Sequence, residues 1–537
     1  MARPDIVFIL ADDLGYNELS FMNASRHLAT PALDSLARSG VTLKGYYVGP
    51  ICSPTRSALM TGRYMIRLGT QSNVIYWDTP WGVSLRETFI GEHFQAAGYS
   101  TALFGKWHLG MFREAYTPIR RGFSEHMGYY QGCESAFTHV AACCSAGSPT
   151  SDQNFTCAAA PHGEDYRGYD WFRSGPAPNH NRSTPDLSAL HTNSATLIRE
   201  AAVDFIGRQR RDTPFFLYLP FQNVHKPYTC QGTFRARYKN VPTLTEAERT
   251  LFGYISELDE AVAHVVGALE SAERYDSSLL VFSSDNGAPP AGEEVDHRRG
   301  AHPGWIARNY PFRGHKALLW EGGTRVPGFV SGGSPLLPDA ARGTVSHKLM
   351  HVTDWLPTLT GLAGAARPPR DGKPLDGLDV WRSIIDPETP SPRNEMLYNI
   401  NPLCGGGQAG APTAAIRIGG FKLMAWCFRV RGIGGGNVTG PVPAPQAAAE
   451  ADPEFKKGRG LVLYDLDKDP AETGNLAHAP AHGATVQKLL SRLEELASEM
   501  VEPQQWTPPY QGPAYECATC PRHPGGAGPM QPWLPWL

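Results

Sequence analysis

Cys52-Ser53-Pro54-Thr55-Arg56 sets a thiol, a chain-stiffening proline and an arginine at fixed offsets, and the small-residue run S-A-L-M-T-G-R carries the stretch to Arg63. Alone it reads as a buried thiol at the start of a helix, as most free cysteines are. Its companions change that. Asp12 and Asp13 are adjacent carboxylates, which repel and, held at one point, call for a cation. Asp285-Asn286-Gly287 repeats the arrangement late in the chain. Asp-Asp with Asp-Asn is an all-oxygen set, of the kind that hard cations such as Ca²⁺ or Mg²⁺ take, whereas zinc draws histidine or thiolate. Lys106-Trp107-His108 joins a point charge for an anion to a group that moves a proton. His225-Lys226-Pro227 does the same, and Lys316 in P-F-R-G-H-K-A-L-L-W-E-G-G-T-R adds another cation. Singly, these residues read as caps, turns and solvated pairs. Together they converge as an active site does.

The elements that must position them are apolar runs alternating with helical patterns. D-I-V-F-I-L-A, T-A-L-F (101–104), F-F-L-Y-L (215–219) and L-L-V-F-S (279–283) are short, continuous and apolar, as strands buried on both faces are. Between them, Thr30–Gly40 predicts a helix with Thr30 as cap, and Ser84–Gly98, Leu187–Arg211 and Thr245–Glu273 predict others. This order predicts an α/β fold, a large mostly parallel sheet with helices on both faces. Ligands of such sheets lie beyond the carboxyl ends of strands. The polar residues singled out above follow strands directly or lie in the loops after them. Past about Pro390 the pattern becomes short strands, A-A-I-R-I, F-K-L-M and L-V-L-Y-D-L, then a helix through Leu489 to Met500. The expected division is a catalytic domain over 1–395, a smaller C-terminal domain with an antiparallel sheet and a helix over 396–515, and a Pro/Gly-rich tail over 516–537.

Composition narrows the function classes. Hydrophobic residues are 41% and charged residues 19% of the 537, the mixture of a globular chain with a sizeable core. A net charge of −3 without a basic run gives no footprint for nucleic acid. No stretch approaches the roughly 18 apolar residues of a membrane span. The run Ile6–Ala11 is too short, and too acidic at its flanks, for a signal peptide. Yet N-x-S/T sites occur at Asn23, Asn154, Asn181 and Asn437, and eight of the ten cysteines cluster at 133–157, 404–427 and 517–520 as loop staples do. The expectation is a glycoprotein with disulfide bonds, lysosomal or secreted, with a reduced cytosolic protein as the rival.

D-I-V-F-I-L-A-D-D-L-G, C-S-P-T-R-S-A-L-M-T-G-R-Y, G-Y-S-T-A-L-F-G-K-W-H-L-G, V-H-K-P, S-S-D-N-G and G-H-K-A-L-L-W-E-G-G resemble the sulfatase family, in its order and rough spacing, over about residues 4 to 500. G-K-W-H-L-G-M-F-R, R-R-G-F and L-W-E-G-G look most like its N-acetylgalactosamine-4-sulfatase (arylsulfatase B) branch. The resemblance implies an alkaline-phosphatase-like fold and hydrolysis of sulfate monoesters. It implies that a formylglycine-generating enzyme oxidises Cys52 to formylglycine, whose hydrate is the nucleophile. Asp12, Asp13, Asp285 and Asn286 would hold a calcium ion, with residue 52 completing the shell. Arg56 would steady the hydrated aldehyde, Lys106, His225 and Lys316 would grip the sulfate oxygens, and His108 would assist release of sulfate. The substrate would be a sulfated small molecule or glycan, such as N-acetylgalactosamine 4-sulfate.

The sequence departs from that branch in places. I-Y-W-D-T-P-W-G-V lacks the family's loop-stapling cysteines, while Cys143 or Cys144 with Cys157, and Cys404 with Cys427, look like family pairs. The longer stretch Ala288–Tyr310 carries Glu293, Glu294, Asp296, Arg298 and Arg299 and is expected at the pocket rim. Cys517-x-x-Cys520 reads as a local disulfide, since no second pair exists to complete a zinc site. Two rivals stand: a phosphatase or phosphodiesterase of the same superfamily, and a catalytically silent carbohydrate-binding relative. Cys52, Asn286 and a one-metal ligand set disfavour the first, and the intact cations disfavour the second.

Overall fold

The run Asp5–Ala11 forms a strand, β1, buried along its whole length. In the computed structural model, residues 3–22, 27–76, 79–142, 167–175, 183–289, 309–333, 336–403, 412–426, 428–429, 440–441 and 460–504 are described. The elements that matter to the site are helix α1 (Cys52–Thr61), strands β2 (Ser100–Phe104) and β3 (Glu125–Gly128), helix α2 (Ser194–Arg208), strand β4 (Phe215–Pro220), helix α3 (Glu246–Ser271) and strand β5 (Ser278–Ser284). The five strands lie side by side in the order β5-β1-β4-β2-β3, all parallel. Antiparallel pairings flank them, Gly328–Gly332 on β5 and Phe172–Ser174 on β3, and among the described residues the sheet has ten strands. The sheet is therefore parallel in its core and mixed towards its edges.

Both faces are covered, which is why β1 is apolar from Ile6 to Ala11. Ile6, Phe8 and Leu10 pack with α1 and the helices Ile90–Ala96 and Trp355–Leu362, while Val7, Ile9 and Ala11 pack with α2, α3 and the helix Pro31–Ser39. On α3, Leu251, Ile255, Leu258, Val262, Val265 and Leu269 are buried at helical spacing. Its start is fixed by Thr245 Oγ1 accepting from Glu248 N–H while the Glu248 carboxylate accepts from Thr245 N–H.

Three predicted helices differ from the expectation. Thr30 does not cap Pro31–Ser39 through its side chain; its hydroxyl bonds Asp34 Oδ1 at 2.9 Å instead. Ser84–Gly98 is helical only over Ile90–Ala96, because Ser84 accepts from Arg86 and Glu87 N–H in a turn and Phe89 enters the helix extended. Leu187–Arg211 is split. Asp186 accepts from Ser188 N–H to start a three-residue turn, and Asn193 accepts from Ala195 and Thr196 N–H to start α2.

A second unit follows. Strands Glu395–Ile400, Ala414–Ile418, Phe421–Ala425 and Leu461–Asp465 form an antiparallel sheet in chain order. Leu423 and Leu463 on one face meet Val486, Leu489, Leu493 and Leu496 of the helix Gly483–Ser498. Met424, Trp426, Val462 and Tyr464 on the other meet Leu318, Leu319 and Trp320 of the large unit. No helix among the described residues is long and apolar enough to cross a membrane. The four N-x-S/T sites, Cys143, Cys144, Cys157, Cys404, Cys427, Cys517, Cys520, the rim residues 290–308 and the tail 516–537 lie outside the described residues.

His126 on β3 is buried, and burial lowers its pKa to about 3. An unfolded histidine titrates near 6.5. Above that value both states are neutral and the stability is complete. As pH falls from about 6.5 towards 3, the unfolded chain takes up a proton that the folded one refuses, and stability drops by about 1.4 kcal/mol per pH unit. The melting temperature of His126→Asn should therefore fall less steeply than that of the unmodified protein between pH 7 and pH 4. Parallel profiles would remove His126 from the acid response.

Candidate active site

The carboxyl ends of β1, β5, β4 and β2 deliver the polar residues, and the start of α1 meets them. Asp12 and Asp13 leave β1; Asp285 and Asn286 leave β5; Lys106 and His108 follow β2; His225 follows β4. Two glycines permit this crowding. A Cβ at Gly105 would stand 2.0 Å from Pro220 O, and one at Gly287 would stand 1.8 Å from Gly322 O. Asp13, His108 and Ala317 adopt left-handed backbone at φ 63°, 60° and 71°. Non-glycine residues hold that conformation only where surrounding structure imposes it, and they gather at functional sites.

The side chains meet. Ligand-type atoms of Asp12, Asp13, Cys52 and His225 all lie within 4.8 Å of one another. Cys52 Sγ is 3.8 Å from Asp12 Oδ1. Lys106 Nζ donates to Asp12 Oδ2 at 2.6 Å, and Lys316 Nζ lies 2.6 Å from Asp13 Oδ1. Arg56, one turn along α1 from Cys52, donates Nε and Nη2 to Asp285 Oδ2 at 3.1 and 2.8 Å and Nη1 to Lys106 O at 3.3 Å. Asp285 Oδ1 accepts from Asp13 N–H at 3.1 Å. Asn286 Nδ2 donates to Asp13 Oδ1 at 2.7 Å. His225 Nε2 lies 3.6 Å from Asp13 Oδ2, and its Nδ1 faces Lys226 O at 2.5 Å. His108 joins through its backbone: Ser53 Oγ donates to His108 O at 2.8 Å, and the ring packs on Gly132. The ten expected residues thus come together, nine of them buried and Lys316 half-buried.

Sequence reasoning missed two braces. Ser53 also accepts from Ile75 N–H, so it ties the loop after the signature to the start of α1; its place beside Cys52 was the available signal. Asn223 O accepts from Asp12 N–H, and Val224 N–H donates to Asp12 O at 2.6 Å, cross-linking two strand ends. Nothing local in the sequence marks that pair.

Three carboxylates face three cations here. Burial and the charge of Asp285 push Asp12 up to about 7 despite Lys106 and Arg56. Burial acts on Asp13 too, but Lys316 and His225 hold it well below the usual carboxylate range. Burial pushes the Cys52 thiol up to about 12, so as a plain thiol it is a poor nucleophile at neutral pH. Burial, then the surrounding cations, keep His108 neutral; burial, then Lys316, take His225 down to about 3.

The donor set fits a hard divalent cation. Asp12, Asp13 and Asp285 offer carboxylate oxygens, all buried. Asn286 Oδ1 is buried with no hydrogen-bond partner, a condition worth about 1–3 kcal/mol that coordination would relieve. Cys52 and His225 add softer atoms to this set. Around such an ion, Lys106, Lys316 and Arg56 leave a net positive, water-poor pocket suited to an anion.

The family model for sulfatases matches residues 4–365. Arylsulfatase J of Mus musculus is 31% identical over 554 positions, covering 100% of this chain and 80% of its own length. Arylsulfatase A of Homo sapiens is 30% identical, covering 93% and 88%. N-acetylgalactosamine-6-sulfatase of Mus musculus is 28% identical, covering 92% and 86%. Among solved structures, Ps i-CgsB in complex with k-i-k-neocarrahexaose superposes with a TM-score of 0.69 at 24% identity, covering 93% of this chain and 94% of that one.

Proposed function

The chain belongs to the sulfatase family, and from that premise we propose that it hydrolyses sulfate monoesters of a sugar, with formylglycine made from Cys52 and a calcium ion at the cluster just described. The observation that carries this reading is the meeting of Cys52 with Asp12, Asp13 and His225 inside 4.8 Å, between Lys106 and Lys316. N-acetylgalactosamine 4-sulfate is the substrate we favour, on the motifs G-K-W-H-L-G-M-F-R and L-W-E-G-G. The secretory pathway, where a formylglycine-generating enzyme would act on the chain, follows from the clustered cysteines.

Asp12, Asp13, Asp285 and Asn286 would hold the ion, whose contribution is to withdraw charge from the sulfate oxygens. Oxidised to an aldehyde and hydrated, residue 52 would supply a hydroxyl to attack sulfur. The remaining work is done by side chains. Lys106 on Asp12 and Lys316 on Asp13 would each turn an ammonium towards a sulfate oxygen. Arg56 keeps Asp285 ionised and steadies the oxygens at residue 52 from one turn along the same helix. Neutral His225 takes up a proton more readily once an anion is bound, because the anion offsets Lys316, and can then donate to the sulfate or the leaving oxygen. His108, neutral and packed against Gly132, would take the proton whose departure re-forms the aldehyde and frees sulfate.

The test is a paired assay with p-nitrophenyl sulfate and p-nitrophenyl phosphate, followed by a desulfation screen over defined sulfated sugars. Sulfate should be the preferred ester by roughly a hundredfold or more, as differential transition-state binding by a site built for it gives. Preference for phosphate would favour the phosphatase reading, and turnover of neither by aldehyde-bearing protein would favour the silent relative.

A further inference from the structure

The backbone of the loop 313–323 that carries Lys316 bonds to the backbone of the large unit at Ala288, Pro50 and Gly287. Lys316 N–H donates to Ala288 O at 3.0 Å, Ala317 N–H to Pro50 O at 2.6 Å, and Gly287 N–H to Gly323 O at 3.0 Å. These contacts tie the loop to the segment after Asn286 and to the one before Cys52. The ends of the loop are held from elsewhere. Lys422 lies on the strand Phe421–Ala425 of the C-terminal sheet, on the face turned to the large unit, and is 0% exposed. Its Nζ is 3.0 Å from Glu321 Oε1 and 2.7 Å from Glu472 Oε1. Glu472 Oε2 accepts from Glu321 N–H at 2.7 Å, and Glu472 O accepts from Arg313 Nη1 at 3.3 Å. One residue of the small domain therefore holds both ends of the loop.

Further groups aim Glu321. Tyr47 and Tyr398 donate to its two oxygens at 2.6 and 2.8 Å, and Arg417 donates to the Tyr47 hydroxyl at 2.7 Å. Glu472 has left-handed backbone at φ 59°, like Ala317 beside Lys316. A lysine buried with two carboxylates is seldom more stabilising than apolar side chains of equal volume, so stability alone does not account for this arrangement. What ions add over apolar packing is direction, since each bond fixes an angle and a distance. We infer that Lys422 and Glu472 are positioning residues, through which the C-terminal domain sets the register of the loop and hence where the Lys316 ammonium points. The consequence for catalysis rests on the sulfatase reading; the brace on the loop does not.

The test uses the full chain carrying Lys422→Met, Lys422→Arg or Glu472→Gln, with amide hydrogen exchange and steady-state kinetics on p-nitrophenyl sulfate. In Lys422→Met, exchange at Lys316, Ala317 and Gly322 should rise roughly tenfold or more while β1 and β4 keep their protection. Its kcat/KM should fall roughly a hundredfold, the effect of misplacing a site group by about 1 Å. In a Lys316→Ala background the same substitution should cost little more, because the group it positions is gone. Lys422→Arg should recover part of both losses. Should Lys422→Met fail to fold, Glu472→Gln, which keeps the shape and drops the charge, is read in the same way. A folded variant with unchanged loop exchange overturns the proposal, as does a kinetic loss that adds in full to that of Lys316→Ala. Raised loop exchange in a protein inert towards every sulfate ester would sink the sulfatase reading and leave the brace standing.

Discussion

Replacing Cys52 by alanine is expected to lower sulfate release by about a million-fold, the loss seen when a nucleophile is removed, while the protein still folds. Cys52 begins α1, where its Sγ makes one hydrogen-bond contact among the described residues, with Asp12 Oδ1 at 3.8 Å, and otherwise lies near the ligand-type atoms of Asp13 and His225. Taking away a single buried sulfur costs on the order of 1 kcal/mol, small against the stability of a large α/β unit. The helix does not depend on the thiol: its cap, Ile51, makes no side-chain bond, and Thr55 N–H already donates to Ile51 O. Turnover and melting temperature should therefore part company. Cys52→Ser, made in a host whose maturation enzyme oxidises only cysteine, is the sharper variant, since it keeps a hydroxyl of similar size but lacks the thiol from which the aldehyde is made. It should be nearly as inactive. Appreciable multiple turnover by the serine variant would mean that an ordinary hydroxyl at this position suffices.

Removal of the metal is expected to have the next largest effect. Asp12, Asp13 and Asp285 are buried together, and burial with the charge of Asp285 pushes Asp12 up to about 7. A cation at their centre offsets this repulsion and adds charge where the sulfate oxygens would lie, a contribution of several kcal/mol, or roughly a thousandfold in rate. Elemental analysis should find calcium bound by the active protein. Protein shown by the same analysis to be metal-free should lose about that factor, melt at lower temperature because a ligand of the folded state has been withdrawn, and recover with Ca²⁺. Zinc should not restore it, for the set is nearly all oxygen. Full turnover in verified metal-free protein would remove the ion from the account.

The parts of this molecule legible in its sequence are those set by local pattern. β1, β4 and β5 are continuous apolar runs because helices cover both faces of the sheet, and the polar residues after them follow from where such sheets bind ligands. The helix over Leu187–Arg211 is less legible. Its apolar spacing is continuous enough to hide the break, although Asn193-Ser194 is a capping signal in plain view. Thr30 misleads in the other direction, since its hydroxyl prefers Asp34 to the helix end. Lys422 is illegible altogether. In F-K-L-M it reads as the exposed member of an alternating strand, and only its partners Glu321 and Glu472, distant in the chain, explain its burial. Long-range ionic partners leave no periodicity to find.

The central claim is tested most directly by mass spectrometry of the peptide spanning residue 52, taken from protein that releases sulfate and was made in a host with the maturation enzyme. The account predicts an aldehyde in place of the thiol, in a fraction that rises and falls with specific activity from one preparation to the next. Full activity in protein whose Cys52 remains an unmodified thiol would contradict it.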